Sequence, residues 1–117
     1  MKRSYLPALA AFFLLAGAMA TGCGDGVGPG GALVGGACAT DGQCAQGSRC
    51  ETGGDYPGGM CTVTCSRIGD CPGGTICTDK KVCMLTCTLT RDCRAGYACK
   101  GKKRVDKLAE ALVCAKD

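Results

Sequence analysis

The hydrophobic residues of this chain are concentrated in one run near its start. The run extends from Leu6 to Ala20, follows the basic pair Lys2 and Arg3, and ends before two small residues. Fifteen apolar residues are too few to cross a bilayer comfortably as a helix. A basic start, a short apolar run and small residues after it are typical of a cleaved signal peptide, which we predict over residues 1–22.

The rest of the chain has one segment with a helical period. Apolar residues recur there at the i, i+3, i+4 and i+7 positions, namely Val105, Leu108, Ala109 and Leu112. This spacing predicts a short helix near 104–113. Basic residues crowd its first turn and oppose the helix macrodipole, so we expect packing or Cys114 to hold it.

Elsewhere the pattern indicates short extended pieces joined by turns. Residues 51–60 are rich in Gly, Asp and Pro, and they predict a hairpin loop. The spacers 62–64 and 84–86 are short and contain β-branched residues, which favours extended links. Four Cα steps reach at most about 14 Å, so the segments on either side of a spacer must touch or nearly touch.

The thirteen cysteines form the strongest pattern in the sequence. Twelve fall into three units that share Cys-x5-Cys-x5-Cys and cover residues 38–61, 65–83 and 87–114. The segment between the third and fourth cysteine has ten, five and fourteen residues, which predicts a surface loop at a common end of each unit. The twelve residues are Cys38, Cys44, Cys50, Cys61, Cys65, Cys71, Cys77, Cys83, Cys87, Cys93, Cys99 and Cys114.

Two other positions repeat in every unit. The residue before the second cysteine is Gln43, Asp70 or Asp92. The third residue after that cysteine is always glycine, which predicts a turn that needs positive φ. These glycines are Gly47, Gly74 and Gly96.

The region after the signal peptide has little with which to build an apolar core. It keeps only two aromatic residues, Tyr56 and Tyr97, and its twelve basic and ten acidic residues give a net charge of 12 − 10 = +2. That charge is too small to indicate nucleic-acid binding. Units of this size cannot bury a self-sufficient core, so the cysteine content predicts a small disulfide-rich fold in an oxidising compartment.

Six disulfides would use all twelve cysteines of the units. The strict repeat suggests two bridges inside each unit, and four cysteines allow three pairings. We favour bonds between the first and third cysteines and between the second and fourth cysteines of each unit. These bonds would tie together both short loops and the base of the variable loop. The other two pairings remain open. Each bridge would contribute roughly 3 kcal/mol by the chain-entropy estimate.

Metal binding is the competing interpretation of the cysteines. Zinc sites use Cys-x2–4-Cys knuckles, often with His. This chain has no His and no Cys-x2-Cys, and its only close cysteine spacings are the two Cys-x3-Cys links between units. Calcium ligands could be sought among Asp41, Asp55, Asp70 and Asp79, but these lack the alternation of an EF-hand. Without His the commonest general base is missing too. We therefore expect no metal, no cofactor and no catalytic activity.

The residues Ala20-Thr21-Gly22-Cys23 resemble a bacterial lipobox. The resemblance implies acylation of Cys23 and a lipid-anchored protein of the cell envelope, at the outer membrane or cell surface. The lipobox favours Leu where this chain has Ala20, and the alternative is a secreted protein with an unpaired Cys23. Residues 24–36 contain seven glycines and predict a flexible tether within the segment 23–37, with a reach of roughly 20 Å.

The units themselves carry a second resemblance. The pattern Cys-x4-Asp/Gln-Cys-x2-Gly-x2-Cys, as in Cys87 to Cys99, resembles the small repeats of Dickkopf-type N-terminal cysteine-rich regions. Similar short repeats occur in cysteine-rich bacterial lipoproteins. The resemblance covers 38–114 and implies an extracellular binding module, although the long third insert departs from it.

We therefore expect a membrane-anchored binding or structural module with an unknown protein or glycan partner. The alternative is an inhibitor of a protease or other hydrolase that inserts one rigid loop, either 51–60 with Tyr56-Pro57 or the basic run 100–104. Five basic residues of the third loop also suggest contact with an anionic surface. They are Lys100, Lys102, Lys103, Arg104 and Lys107.

Overall fold

The computed structural model describes residues 26–117, so the predicted signal peptide over 1–22 and the predicted lipidation site Cys23 lie outside the described residues. These residues form three two-stranded antiparallel sheets, one in each cysteine unit. A single 3-10 turn precedes each hairpin, at Asp41–Gln43, Ile68–Asp70 and Thr90–Asp92. The strands are β1 (Arg49–Glu51), β2 (Met60–Thr62), β3 (Thr75–Cys77), β4 (Cys83–Leu85), β5 (Tyr97–Lys103) and β6 (Glu110–Lys116). The expected small disulfide-rich fold with short hairpins is confirmed.

Six disulfides join the cysteines of the three units in the favoured pattern, first with third and second with fourth. The bridges are Cys38–Cys50, Cys44–Cys61, Cys65–Cys77, Cys71–Cys83, Cys87–Cys99 and Cys93–Cys114. The third and fourth cysteines of a unit face each other across its hairpin, as Cys77 and Cys83 do. Each is bonded to a cysteine before the hairpin, so the two bridges fasten both strands to the preceding 3-10 turn.

The repeated polar position before the second cysteine stabilises this turn. The carboxylate of Asp70 accepts hydrogen bonds from the backbone N–H groups of Ser66 and Arg67, both at 2.9 Å. Asp92 caps the third turn in the same way, and the side-chain oxygen of Gln43 caps the first. The repeated glycines have φ of 87°, 82° and 88°, as predicted from their position.

The third unit has no helix, and the prediction of one near 104–113 is wrong. Residues 97–103 and 110–116 instead pair as a seven-residue hairpin, in register from Tyr97 opposite Lys116 to Lys103 opposite Glu110. The chain reverses at a turn where Lys107 has φ of 60° and Asp106 accepts a hydrogen bond from the Leu108 N–H. Strand pairing satisfies the backbone groups of this segment, whereas its lysine-rich start opposed a helix.

The glycine-rich segment 26–36 is folded, so the expectation of a flexible tether is wrong for these residues. The segment closes on itself through hydrogen bonds from Leu33 N to Gly26 O and from Gly28 N to Val34 O. It then joins strand β2, where Gly35 N donates to Cys61 O and Cys61 N donates to Gly36 O, both at 2.8 Å. The Val34 side chain is completely buried.

The three units form one core rather than three. Buried residues from all of them, including Met60, Val82, Met84, Tyr97 and Val113, pack in a single cluster with the bridging cysteines. Backbone hydrogen bonds also cross between units: from Cys83 N to Val63 O, from Asp79 N to Lys103 O and from Val105 N to Cys77 O. The spacers therefore hold neighbouring units in contact, as their length requires.

Candidate functional site: a cleft where the three units meet

Residues from all three units line a small open cleft. The loop 51–60 contributes Asp55 and Tyr56, the turn after β3 contributes Thr78, Asp79 and Lys80, and the third hairpin completes the wall. The remaining lining residues are Met84, Lys102, Ala115 and Lys116. Its volume of about 50 Å³ is far below the ~300–1,000 Å³ of a cofactor-sized pocket, so the cleft has room for a side chain or a small anion.

The rim of the cleft carries three lysines and two aspartates, which give a net charge of 3 − 2 = +1. Asp55 forms an ion pair with Lys80, although the two residues lie 25 positions apart in the sequence. The hydrogen bond from Lys80 lowers the pKa of Asp55, and the charges of Lys116 and Lys102 lower it further. The same ion pair raises the pKa of Lys80. Three ammonium groups thus act on Asp55, and the carboxylate of Asp79 acts on Lys80 as well.

The floor of the cleft is apolar. Met84 is 5% and Ala115 is 3% exposed, and both belong to the common core. Half-buried Tyr56 forms one wall, and burial raises the pKa of its hydroxyl. An apolar floor beneath a charged rim can take a ligand that combines an apolar group with a negative charge.

The five basic residues singled out in the sequence do not form one cluster. Lys100, Lys102 and Lys103 lie on β5, where neighbouring side chains point to opposite faces of the hairpin. Arg104 is paired with Asp106 at 2.7 Å, and Lys107 lies at the turn. Of the five, Lys102 reaches the cleft.

The apolar residues expected to form a helical stripe are also separated. Leu108 is 85% exposed at the tip of the hairpin, and Leu112 is 52% exposed on β6. Val105 packs against the core as a partly buried residue. Residues at this spacing share one face only in a helix. In the extended backbone of the hairpin they no longer lie side by side.

Arg94 is a residue whose role the sequence pattern did not indicate. From the third unit, its guanidinium donates hydrogen bonds to the backbone oxygens of Gly35, at 3.0 Å, and Gly59. It also lies 4.4 Å from the centroid of the Tyr97 ring and donates to the Tyr97 hydroxyl. The Tyr97 hydroxyl in turn donates to Pro57 O at 3.1 Å. Arg94 therefore joins the third unit to the first unit and to the glycine-rich segment.

The same contacts determine which residues of loop 51–60 are covered and which are exposed. Tyr56 and Pro57 are half-buried, and Pro57 packs beside Gly96 of the third unit. The exposed residues of the loop are 52–55 at its tip and Gly58. Tyr56 and Pro57 are partly covered by contacts with the rest of the protein, and the tip is the accessible part of the loop.

All of the residues considered as metal ligands except Asp79, which lines the cleft, have other partners. Three cysteine groups place their sulfur atoms within 4.8 Å of one another, but every cysteine in them is part of a disulfide. A disulfide sulfur is not the thiolate that binds zinc. Asp41 accepts a hydrogen bond from Cys50 N, Asp55 pairs with Lys80, and Asp70 caps its turn. These aspartates therefore serve separate local contacts.

No family model, curated protein or solved structure matches this chain. Within residues 26–117, no helix is long and apolar enough to span a membrane.

Proposed function

We propose that the protein is a lipoprotein of the cell envelope, acylated at Cys23, whose disulfide-stapled body is a non-catalytic binding module. The short apolar run and the lipobox-like residues before Cys23 support the anchor. Six disulfides in so small a body support export, because such bonds persist in oxidising compartments. The resemblance to extracellular cysteine-rich repeats supports a binding role.

The proposed binding site is the cleft between the units, and the proposed ligand is an acidic segment of a partner protein. The position of Lys102 and Lys116, which line the cleft beside the Asp55–Lys80 ion pair, carries this proposal. A carboxylate from the partner would pair with Lys102 and Lys116 at the rim. An adjacent apolar side chain would cover Met84 on the floor.

The test is a titration of the oxidised C23S protein with an acetylated hexaglutamate peptide, followed by NMR shift mapping. We expect the largest shifts at the cleft and no binding of a hexaglutamine peptide. The double variant K102Q/K116Q should weaken binding, whereas K100Q/K103Q, which removes the same charge from the same hairpin, should not. Equal loss in both variants would contradict a defined site and indicate general attraction to the basic surface.

A further variant tests the part played by Asp55. Replacing Asp55 with Asn removes its negative charge and leaves Lys80 without its ion-pair partner. We expect tighter binding of hexaglutamate, because the ligand no longer competes with an internal carboxylate. Weaker binding by D55N would argue against the cleft.

The anchor is tested independently of the cleft. Mass spectrometry of the native protein should find the chain beginning at an acylated Cys23, and C23S should leave the membrane fraction. If the native protein enters the aqueous phase of a detergent partition, the anchor proposal fails and the secreted alternative stands.

A second candidate function is contact with an anionic surface through the tip of the third hairpin. Leu108 is 85% exposed there, between the exposed residues Lys103 and Lys107 on one side and Glu110 on the other. Attraction near an anionic membrane is about 1 kcal/mol per basic residue, so a few such charges would matter. The C23S protein should then bind anionic vesicles at low salt and dissociate from them at high salt. Binding that is unchanged in K103Q/K107Q would contradict this candidate.

A further inference from the structure

The segment that follows Cys23 belongs to the folded body almost from its first residue. Gly26 accepts hydrogen bonds from the N–H groups of Leu33 and Val34, at 2.9 and 3.1 Å. Ser48 Oγ donates to Leu33 O at 2.7 Å, which ties the segment to the first unit. Arg94 ties it to the third unit through Gly35 O.

The folded segment leaves a very short connection to the proposed anchor. Three Cα steps separate Cys23 from Gly26, and three steps span at most about 11 Å. We propose that the folded body rests directly on the bilayer, through a face formed by residues 26–32 and 72–74. This inference depends on acylation of Cys23 and replaces the expected spacer of roughly 20 Å with direct contact.

The composition of this face suits the polar–apolar boundary of a bilayer. No residue from Gly26 to Ala37 is charged, and Pro29 and Gly30 are exposed or partly exposed. The neighbouring surface of the second unit is Pro72-Gly73-Gly74, which is uncharged as well, and Val27 packs against Gly74. A face without charges loses little hydration when it enters the headgroup region, whereas a charged face would lose much more.

The contact also orients the rest of the molecule. Val27 lies beside Gly74, immediately before β3, whereas Asp55 pairs with Lys80 in the turn after β3. Lys103 of the third hairpin also bonds to this turn, through Asp79 N. The Asp55–Lys80 pair and the tip of the third hairpin thus lie toward the end of the second hairpin that is away from Val27. The Asp55–Lys80 rim of the cleft and the hairpin tip would then face away from the membrane, so membrane contact through the hairpin tip is an alternative to this inference.

Tryptophan fluorescence can test the contact, because the natural chain contains no Trp. Gly30 and Gly54 form a matched pair of sites: neither has a positive φ, and a side chain at either meets open space. We would reconstitute the acylated full-length variants G30W and G54W in neutral vesicles that contain brominated phosphatidylcholine. We expect G30W to lose most of its fluorescence and G54W to lose little.

A spacer variant tests the reach argument. Twelve Gly and Ser residues inserted between Asp25 and Gly26 would lengthen the connection to a coil of about 20 Å. Quenching of G30W should then fall toward that of G54W. Unchanged quenching after the insertion would overturn the claim that the short connection imposes the contact.

The outcomes separate this inference from the anchor on which it depends. A native protein that does not float with vesicles overturns acylation at Cys23, and the inference with it. A protein that floats while G30W and G54W are quenched equally overturns the inference alone. Stronger quenching of G54W than of G30W would show the reverse orientation and would also overturn it.

Discussion

The second and third cysteine units share one disulfide framework but occupy different positions in the molecule. In both, the first bridge spans twelve residues and the second joins the turn to the last strand. The second unit has a short hairpin whose β4 strand is buried throughout. The third unit has a seven-residue hairpin whose outer half is exposed.

The difference between them lies in the loop between the third and fourth cysteines. Five residues allow β3 and β4 to form only the portion that packs against both neighbours, whereas fourteen residues extend the same hairpin beyond the core. The disulfides therefore determine the local fold, and the length of this loop determines how much surface each unit contributes. Core stability should depend mainly on the second unit, and binding mainly on the third.

The largest effect is expected from removal of equivalent bridges in the two units. Both Cys65–Cys77 and Cys87–Cys99 span twelve residues, so the chain-entropy contribution is the same. Cys65 and Cys77 are buried, whereas Cys87 and Cys99 are partly exposed. Each double Ser variant should lose about 2–5 kcal/mol. Denaturant unfolding should show the greater loss in C65S/C77S, and a greater loss in C87S/C99S would contradict the central role of the second unit.

The next effect concerns the contact between the third unit and the first. Replacing Arg94 with Ala removes the donor for Gly35 O and Gly59 O and should cost about 2–3 kcal/mol in unfolding free energy. R91A, an exposed arginine of the same unit, is the matched control and should have little effect. R94K should rescue only in part, because one ammonium group cannot reproduce the planar donor set. Full rescue by R94K would show that charge alone matters.

A smaller effect distinguishes the two faces of β6 and tests the hairpin directly. Val113 is completely buried and Leu112 is 52% exposed, although they are adjacent. V113A should lower the unfolding free energy by about 2 kcal/mol, whereas L112A should change it little. Thermal unfolding of both variants measures the difference. Similar losses would indicate that the strand alternation is not maintained in solution.

The smallest effect is a difference in acid sensitivity between units. Backbone hydrogen bonds lower the pKa of Asp70 and of Asp92 below the ordinary value of 3.8. Their stabilising contribution is therefore present above that value and is lost as the pH falls through the lowered pKa. D70N/D92N should reduce the fall in melting temperature on acidification. Conversely, Q43E should increase the fall in melting temperature, because it replaces the neutral cap of the first turn with a carboxylate that becomes protonated at low pH. Identical acid profiles for all three proteins would contradict this prediction.

The sequence was sufficient for the regular parts of the fold. Disulfide bonding, the hairpin loop at 51–60 and the positive φ of the repeated glycines follow from spacing and turn chemistry. The pairing was favoured because it pins the base of the variable loop. The strand register agrees with that pairing. Cys77 and Cys83 lie opposite each other in one hairpin, and each forms its disulfide with a cysteine that precedes the hairpin.

The hairpin in the third unit could have been inferred from the other two. If Cys99 and Cys114 face each other as the equivalent cysteines do, the fourteen residues between them must reverse near their midpoint. The turn lies there, at 104–109. The apolar residues at helical spacing were misleading because two of them, Leu108 and Leu112, are exposed and pack against nothing in the core.

Composition alone was misleading for residues 26–36. Many glycines usually indicate flexibility, but here they allow backbone segments to approach closely. A Cβ atom on Gly35 would overlap the carbonyl oxygen of Gly28, and one on Gly31 would overlap that of Gly26. The role of Arg94 was equally invisible, because its partners are backbone oxygens more than thirty positions away and backbone oxygens leave no residue signature.

The crossed disulfide pattern has a consequence for how the chain matures. If the chain is exported as proposed, its cysteines emerge in the order of the sequence, and in each unit the second emerges six residues after the first. Yet the first cysteine bonds to the third, so oxidation of neighbours as they emerge would produce the wrong bridge in every unit. Correct maturation therefore requires the first thiol to wait for twelve residues of chain, or a later thiol–disulfide exchange to reshuffle early bridges. The yield of native protein should then depend on a disulfide isomerase more than on the strength of the oxidant.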